Sequence, residues 1–179
     1  YVTYKFRPSD LNDSEVKMIW MDGGIRPSHP DLITDKDDIG DNGVLMIGEN
    51  GIIWSDNYGI NARLYINGQD GVVEKGKISE INSVEFGHQS YWIDAVKDGY
   101  GSDKHRNLTS NFDFAGPLSE VVLLGNVAIR SSLLKRSPRS NVFIGKKQLM
   151  YDSNKMMITN LDQANQFLTR EYREGWEIS

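Results

Sequence analysis

The sequence contains no cysteine, which excludes disulfide bonds, zinc sites built on cysteine and thiol nucleophiles. This absence is compatible with the cytoplasm and with the periplasm, so the localisation stays unknown. Histidine is also scarce. The three histidines, His29, His88 and His105, lie far apart without the spacing of a metal site, so no metal ligand is predicted.

Motifs that bind nucleotides or activate a nucleophile are missing as well. No G-x-G-x-x-G or G-x-x-x-x-G-K-[ST] sequence offers a phosphate cradle, so no cofactor-binding residue is predicted in this chain. No H-E-x-x-H or G-x-S-x-G segment indicates a metalloprotease or a nucleophile elbow. Judged by its residues alone, the chain is a domain without an active site of its own, and no catalytic residue is predicted.

Long apolar runs and an excess of positive charge are absent too. No run reaches the roughly 18 apolar residues of a membrane span, so no membrane partner is predicted. The formal net charge of −5 argues against nucleic acid as a partner. The basic segment 135–139 is interpreted as a solvated loop, with an anion site as the alternative. The aspartate-rich segment 31–42 lacks the EF-hand pattern and is interpreted as a surface loop rather than a calcium site.

What is present is the composition of a folded soluble domain, with 39% hydrophobic and 25% charged residues. β-Branched and aromatic residues between turn signals predict strands, and Asn50-Gly51 predicts a tight hairpin. The predicted strands are 1–6, 16–21, 44–48, 51–55, 62–67, 147–151 and 155–159. The predicted helices are 88–97, 118–133 with Pro117 in its first turn, and about 160–175, with a loop at 100–111.

The order of these elements determines the predicted fold class. Strands come first and helices follow, without the alternation of a parallel βαβ fold. The sequence therefore predicts one α+β domain over residues 1–179 with a largely antiparallel sheet. Gly125 interrupts the long central helix, which predicts a close backbone approach to a neighbouring element at that position.

One loop carries side chains that suit a substrate. The turn Asp22-Gly23-Gly24 is followed by Arg26 and His29, each next to a proline. These residues are interpreted as a rigid loop, and the alternative is a substrate-side loop in which Asp22, Arg26 and His29 bind hydroxyls or carboxylates. The tryptophans Trp20, Trp54, Trp92 and Trp176 are interpreted as core or interface residues, with sugar stacking as the alternative.

Several segments, in order, resemble the C-terminal domain of Gfo/Idh/MocA oxidoreductases of the Bacteroidetes-type subgroup. The most specific is Asn111-Phe112-Asp113-Phe114-Ala115-Gly116-Pro117-Leu118-Ser119-Glu120, continuing to Arg130. Similar segments lie at 19–27, at 91–99 and from Asn160 to Trp176, where Arg170-Glu171-Tyr172-Arg173-Glu174-Gly175-Trp176 closes the match. Together they cover much of the chain.

The resemblance implies a two-domain enzyme that transfers hydride at a sugar or cyclitol carbon. An N-terminal Rossmann domain would bind NAD or NADP, and this chain would form an open, mainly antiparallel sheet with helices packed on one face. The family's E-K-P lysine and its acid/base histidine have no counterpart here, so no catalytic residue and no cofactor are expected in this chain. The turn 22–26 and the helix entry, with Asn111 and Asp113, match the family and are substrate-side candidates. Asp113 is also expected to pair with free N–H groups at the helix start.

The resemblance also implies that the domain's first strand and helix precede Tyr1. Their absence would expose apolar surface, so we expect self-association through the open sheet face, with a small carbohydrate-like molecule as the substrate of the parent enzyme. Two alternatives share the scaffold. One is a stand-alone carbohydrate-binding or assembly module, and the other is part of an NAD-dependent glycosidase.

Overall fold

The computed structural model describes residues 1–34, 39–57, 59, 61–75 and 87–176, without the side chain of His88. The chain divides into two compact units, which are described separately. The first unit comprises Tyr1 and Met18–Leu108, and the second comprises Val2–Lys17 and Thr109–Ser179. The described part of the chain mixes helices with antiparallel sheets, which confirms the α+β class.

The chain begins with two paired strands, β1 (Val2–Phe6) and β2 (Val16–Trp20), at the positions that the sequence predicts. Along β1, side chains two residues apart point to the same face. Tyr4 and Phe6 therefore stack, with their ring centroids 6.2 Å apart.

The first unit contains a four-stranded antiparallel meander in which sequential strands are neighbours. The three strands predicted here are confirmed, whereas the two-residue fourth strand is too short to leave a pattern in the sequence. The strands are β3 (Val44–Ile47), β4 (Gly51–Ser55), β5 (Arg63–Ile66) and β6 (Glu74–Lys75). The Asn50-Gly51 hairpin is confirmed, since the Gly48 N–H donates to the Gly51 carbonyl at 3.0 Å.

One face of this meander forms the core of the first unit. Ile52 and Trp54 alternate along β4, and Tyr65 lies opposite Ile52 on β5. These three side chains and Ile33 form one buried cluster. The Trp54 indole N–H also donates to the Ile39 carbonyl at 3.1 Å, so its polar edge is satisfied.

Two helices follow in the first unit. The predicted helix 88–97 is confirmed as α1 (Gly87–Asp98), which ends at Gly99 in a left-handed conformation with φ 94°. The predicted loop 100–111 is wrong in part, because it contains a one-turn helix, α2 (Asp103–Arg106). The Ser102 hydroxyl accepts a hydrogen bond from the His105 N–H at 3.2 Å and so caps this turn.

The long helix α3 (Phe112–Ser132) is the main element of the second unit, and the predicted start at 118 is wrong. Pro117 lies inside the helix rather than in its first turn. Proline favours the first turn because it lacks an N–H, but here the Asn111 side chain caps the helix several residues earlier.

The C-terminal segment packs on α3. Val127 of α3 clusters with Ile158, Leu161 and Ala164, all buried. The predicted strands 147–151 and 155–159 reduce to the short pair β7 (Tyr151–Asp152) and β8 (Met157–Ile158). The predicted helix 160–175 is wrong beyond its start, since only the 3-10 helix Asp162–Phe167 forms.

A side chain contributes to this shortening. The Asn165 carboxamide binds both backbone polar groups of Ile158 in β8, since it accepts from the Ile158 N–H at 2.7 Å and donates to the Ile158 carbonyl at 3.0 Å. This pairing ties the 3-10 helix to the strand before it. Gly175 has φ 79°, as a helix-ending glycine would, but it lies in a separate turn closed from the Trp176 N–H to the Arg173 carbonyl.

The predicted close approach at Gly125 is confirmed. A Cβ atom added at Gly125 would overlap the Tyr4 hydroxyl of β1, so glycine lets strand and helix meet. Burial raises the pKa of Tyr4, while a backbone hydrogen bond with Gly125 acts in the opposite direction.

By length and composition alone, α3 would suffice to cross a membrane, with a mean hydropathy of 1.3 over its most apolar stretch. Core helices of soluble proteins pass the same test but are mostly buried, whereas 11% of this stretch is buried. In this chain α3 buries Val127 and Ser131. The expectation of no membrane partner stays a prediction.

Candidate functional site

The loop after β2 contains three of the five candidate residues. The Asp22 carboxylate accepts from the Gly23 N–H at 2.6 Å, and the two glycines that follow have φ values of 68° and 83°. Arg26 forms an ion pair with Asp41. Both charged candidates therefore have partners within the first unit, which favours the interpretation as a self-supporting loop.

His29 completes this set. Its Nδ1 lies 3.2 Å from the Pro30 carbonyl oxygen. A carbonyl only accepts, so Nδ1–H is the donor and the neutral ring leaves Nε2 as an acceptor. The residue is exposed, which leaves Nε2 able to accept a hydrogen bond from a sugar hydroxyl.

The other two candidates, Asn111 and Asp113, lie at the entry of α3 in the second unit. The Asn111 Oδ1 accepts from the Phe114 N–H at 3.1 Å and forms the helix cap. Asp113 does not take that capping position, which is a correction to the sequence expectation, but it lies in the first turn where its charge complements the helix dipole. Asn111 therefore has a structural role as the cap of α3.

A further feature is an aromatic cleft between α1 and α2, with a volume of about 280 Å³. Trp92 and Tyr100 line it, and these residues are 59% and 95% exposed. The His105 ring lies 4.6 Å from that of Tyr100, and its Nδ1 accepts from the Gly101 N–H at 3.4 Å. The remaining lining residues are Ala95, Val96 and Leu108.

The chemistry of this cleft is apolar with a polar rim. Exposed aromatic faces stack on the C–H faces of a sugar or on another ring, and a neutral His105 with Nδ1 occupied presents Nε2–H as a donor. Of the four tryptophans, only Trp54 is buried, so the core interpretation is confirmed for Trp54 alone. Sequence reasoning missed the cleft because its lining depends on how α2 folds back toward α1.

Sequence reasoning also missed a polar link across the second unit. The Tyr151 hydroxyl of β7 donates to the Glu120 carboxylate of α3, 31 residues away in sequence. Burial, followed by the hydrogen bond and charge of Glu120, raises the pKa of Tyr151 to about 12. Nothing in the local pattern around either residue indicates this pairing.

Among the residues that the structure describes, no group of three His, Asp or Glu side chains could hold a metal ion. Asp35, Asp37 and Asp38 of the aspartate-rich loop lie outside the described residues. The interpretation of that loop therefore stays a prediction.

Comparison of the chain with protein-family models, curated proteins and solved structures finds no match.

We predict that Asn111→Ala lowers the free energy of unfolding by about 1 kcal/mol, since it removes the α3 cap. Asn111→Ser, which restores a capping oxygen, should recover most of the loss. Urea unfolding followed by circular dichroism measures both variants. An alanine variant as stable as the original chain would show that Asn111 has no capping role and would strengthen its assignment to substrate.

We predict that the free energy of unfolding falls at alkaline pH because of the Tyr151–Glu120 hydrogen bond. Because the pKa of Tyr151 is raised from 10.0 to about 12, its contribution is complete below pH 10 and is lost as the pH rises toward 12. Tyr151→Phe should therefore lose less stability than the original chain over that interval. Thermal unfolding at several alkaline pH values measures this, with Tyr100→Phe as the matched control because Tyr100 is exposed. Parallel pH profiles for Tyr151→Phe and the original chain would contradict the prediction.

Proposed function

We propose that this chain is the C-terminal, substrate-side part of an NAD(P)-dependent oxidoreductase of the Gfo/Idh/MocA type, acting on a sugar or cyclitol-like substrate. In this role the chain supplies pocket walls and subunit contacts, and the nucleotide is held by a Rossmann domain. The support is the ordered set of family-like segments, together with an α+β fold built on antiparallel sheets.

The observation that carries the proposal is an apolar row on the outer face of the meander. Met46 of β3 lies opposite Ile53 of β4, which lies opposite Leu64 of β5. Met46 is 56% and Ile53 is 41% exposed, while the opposite face is already filled by the core. A sheet with two apolar faces is typical of one that is covered on both. We also propose the family's finer architecture, in which one open sheet carries helices on one face.

The long helix supports the same role. Leu118 and Ile129 of α3 are more than half exposed, and they lie on the same side of the helix as Gly125, which contacts Tyr4 of β1. Val127 and Ser131, on the other side, are buried. α3 thus packs within this chain on two sides, and the exposed apolar residues beside its contact with β1 form a surface of the kind that subunit contacts use.

For the substrate, the proposal assigns Asp22, Arg26 and His29 to the pocket wall. His29 is the strongest of the three, because its Nε2 has no partner among the described residues and faces solvent. The part of an NAD-dependent glycosidase would use the same wall, since both chemistries act on a ring that carries hydroxyls.

A second candidate function is a stand-alone carbohydrate-binding module. The aromatic cleft favours it, because Trp92 and Tyr100 are exposed and share a cleft with a histidine donor. In this role the chain would bind a sugar by stacking and would need no nucleotide.

The gene distinguishes the two functions. We expect the reading frame upstream of Tyr1 to encode a strand followed by G-x-G-x-x-G, then E-K-P. The protein from the whole frame should reduce NAD or NADP with a sugar or cyclitol, measured by nicotinamide absorbance. His29→Ala should raise the KM for the sugar, whereas His105→Ala, in the cleft, should leave it unchanged. A start codon directly before Tyr1, combined with sugar binding that Trp92→Ala abolishes, would replace the oxidoreductase with the binding module.

We predict that the chain self-associates through the outer face of the meander. Ile53→Lys places a charge in the apolar row and should raise the dissociation constant at least about tenfold, an effect of about 1.4 kcal/mol. Leu11→Lys is the matched control, because Leu11 is 98% exposed in the loop between β1 and β2. Light scattering after size exclusion measures both variants. A monomeric original chain at high concentration, or an equal effect of the two substitutions, would contradict the prediction.

A further inference from the structure

Positive charge is concentrated in one stretch of this acidic chain. From Val121 to Tyr151 the sequence has six Lys or Arg residues and no Asp or Glu, although the whole chain has a net charge of −5. Charges of both signs normally alternate on a protein surface, which limits repulsion. The stretch therefore carries a local positive potential that the bulk charge conceals.

The fold concentrates these charges further. The Ile144 N–H donates to the Leu134 carbonyl and the Arg136 N–H donates to the Val142 carbonyl, both at 2.9 Å. Ser137-Pro138-Arg139-Ser140 forms the turn, closed from the Ser140 N–H to the Ser137 carbonyl at 2.9 Å, with proline in its preferred second position. We call residues 134–147 the basic hairpin.

Two of the cations lie near the same aromatic ring. The Lys146 Nζ lies 4.3 Å and the Lys135 Nζ 5.5 Å from the centroid of the Phe143 ring. The two ammonium groups therefore lie within about 10 Å of each other, which is about one screening length at an ionic strength of about 0.1 M, so they repel each other. Cation–π attraction to the half-buried ring offsets part of this repulsion.

Two of the six basic residues have structural roles. Arg130 stacks on Phe167 with its guanidinium 4.4 Å from the ring, and Lys147 donates to the Asn160 carbonyl at 2.8 Å. The other four, Lys135, Arg136, Arg139 and Lys146, are exposed, and within the described part of the chain none of them forms an ion pair.

The negative end of α3 explains only some of these charges. A helix C-terminus favours cations, but the effect fades within the last turn. Arg130 lies in the last turn of the helix, which ends at Ser132, whereas Lys135 and Arg136 follow that end and Arg139 lies at the hairpin tip. Lys146 lies in the returning arm of the hairpin, with its Nζ 4.3 Å from the centroid of the Phe143 ring. The helix dipole therefore leaves the concentration of charge across the hairpin unexplained.

We propose that the basic hairpin is a binding surface for a soluble ligand with clustered phosphate groups. Arginine forks pair with phosphate oxygens, and lysines add charge without fixed geometry, so the two residue types together suit an oligophosphate. A bound oligophosphate would also reduce the repulsion among the four cations, which adds to its attraction to the hairpin. This surface is independent of the proposed oxidoreductase function.

The test is a titration of the whole chain with inorganic tripolyphosphate at constant ionic strength set with sodium chloride. Isothermal calorimetry gives the affinity, and amide chemical shifts give the location. We expect saturable binding with the largest shifts in residues 134–147. Arg139→Gln/Lys146→Gln should weaken binding by at least about tenfold, because two charge-assisted contacts are removed. Lys97→Gln/Lys17→Gln is the control with the same change in net charge and should bind as the original chain does.

The outcomes separate the proposal from its competitors. Shifts distributed over basic residues throughout the chain, or equal weakening by both double variants, would reduce the interaction to general charge attraction and overturn the proposal. Binding to vesicles of phosphatidylglycerol and phosphatidylcholine without binding to tripolyphosphate would identify a lipid surface instead. The four side chains are exposed, so unchanged circular dichroism of the variants shows that a loss of binding is not a loss of fold.

Discussion

The second unit depends on the contact that α3 makes with the C-terminal segment. β7 and β8 have two residues each, and the 3-10 helix is six residues long, so none of them would be stable alone. Their apolar side chains instead cluster with Val127 of α3, where Ala164 is fully buried and Ile158 is 2% exposed. Burial of apolar surface is the main favourable term in folding, so this contact holds the unit together. The Tyr151–Glu120 hydrogen bond fixes where β7 meets α3, because a hydrogen bond requires a defined distance and angle.

The sequence predicts the first unit better than the second, and the reason is physical. In the meander, strand residues alternate between a buried and an outer face, and Asn50-Gly51 marks the hairpin, so local signals coincide with the fold. In α3 two local signals compete: Pro117 indicates a later start, but the Asn111 cap determines the observed one. At the C-terminus, helical periodicity continues to 175, whereas Asn165 bonds to β8 and the chain leaves the helix. A contact between side chain and distant backbone is not visible in periodicity.

The candidate site shows the same division. The turn at Asp22 and its glycines could be predicted, because positive φ values require glycine or a few polar residues. The pairing of Arg26 with Asp41 could not, because many acidic residues in the following loop were equally available. The aromatic cleft depends on α2, which sequence reasoning assigned to a loop. A site formed by one short segment can therefore be predicted from the sequence, whereas a site formed by two folded segments cannot.

Two kinds of unpaired surface remain, and they respond to salt in opposite ways. The row of Met46 and Ile53 is apolar, so any association through it should be little weakened by salt and strengthened by excluded salts such as sulfate. The basic hairpin is charged and exposed, so ligand binding there should fall as salt shortens the screening length. A low-salt buffer would favour the hairpin and a high-salt buffer the sheet face. The two surfaces lie in different units of the chain, so a substitution in one does not alter the other. Whether salt weakens or strengthens an observed interaction therefore shows which of the two surfaces forms it.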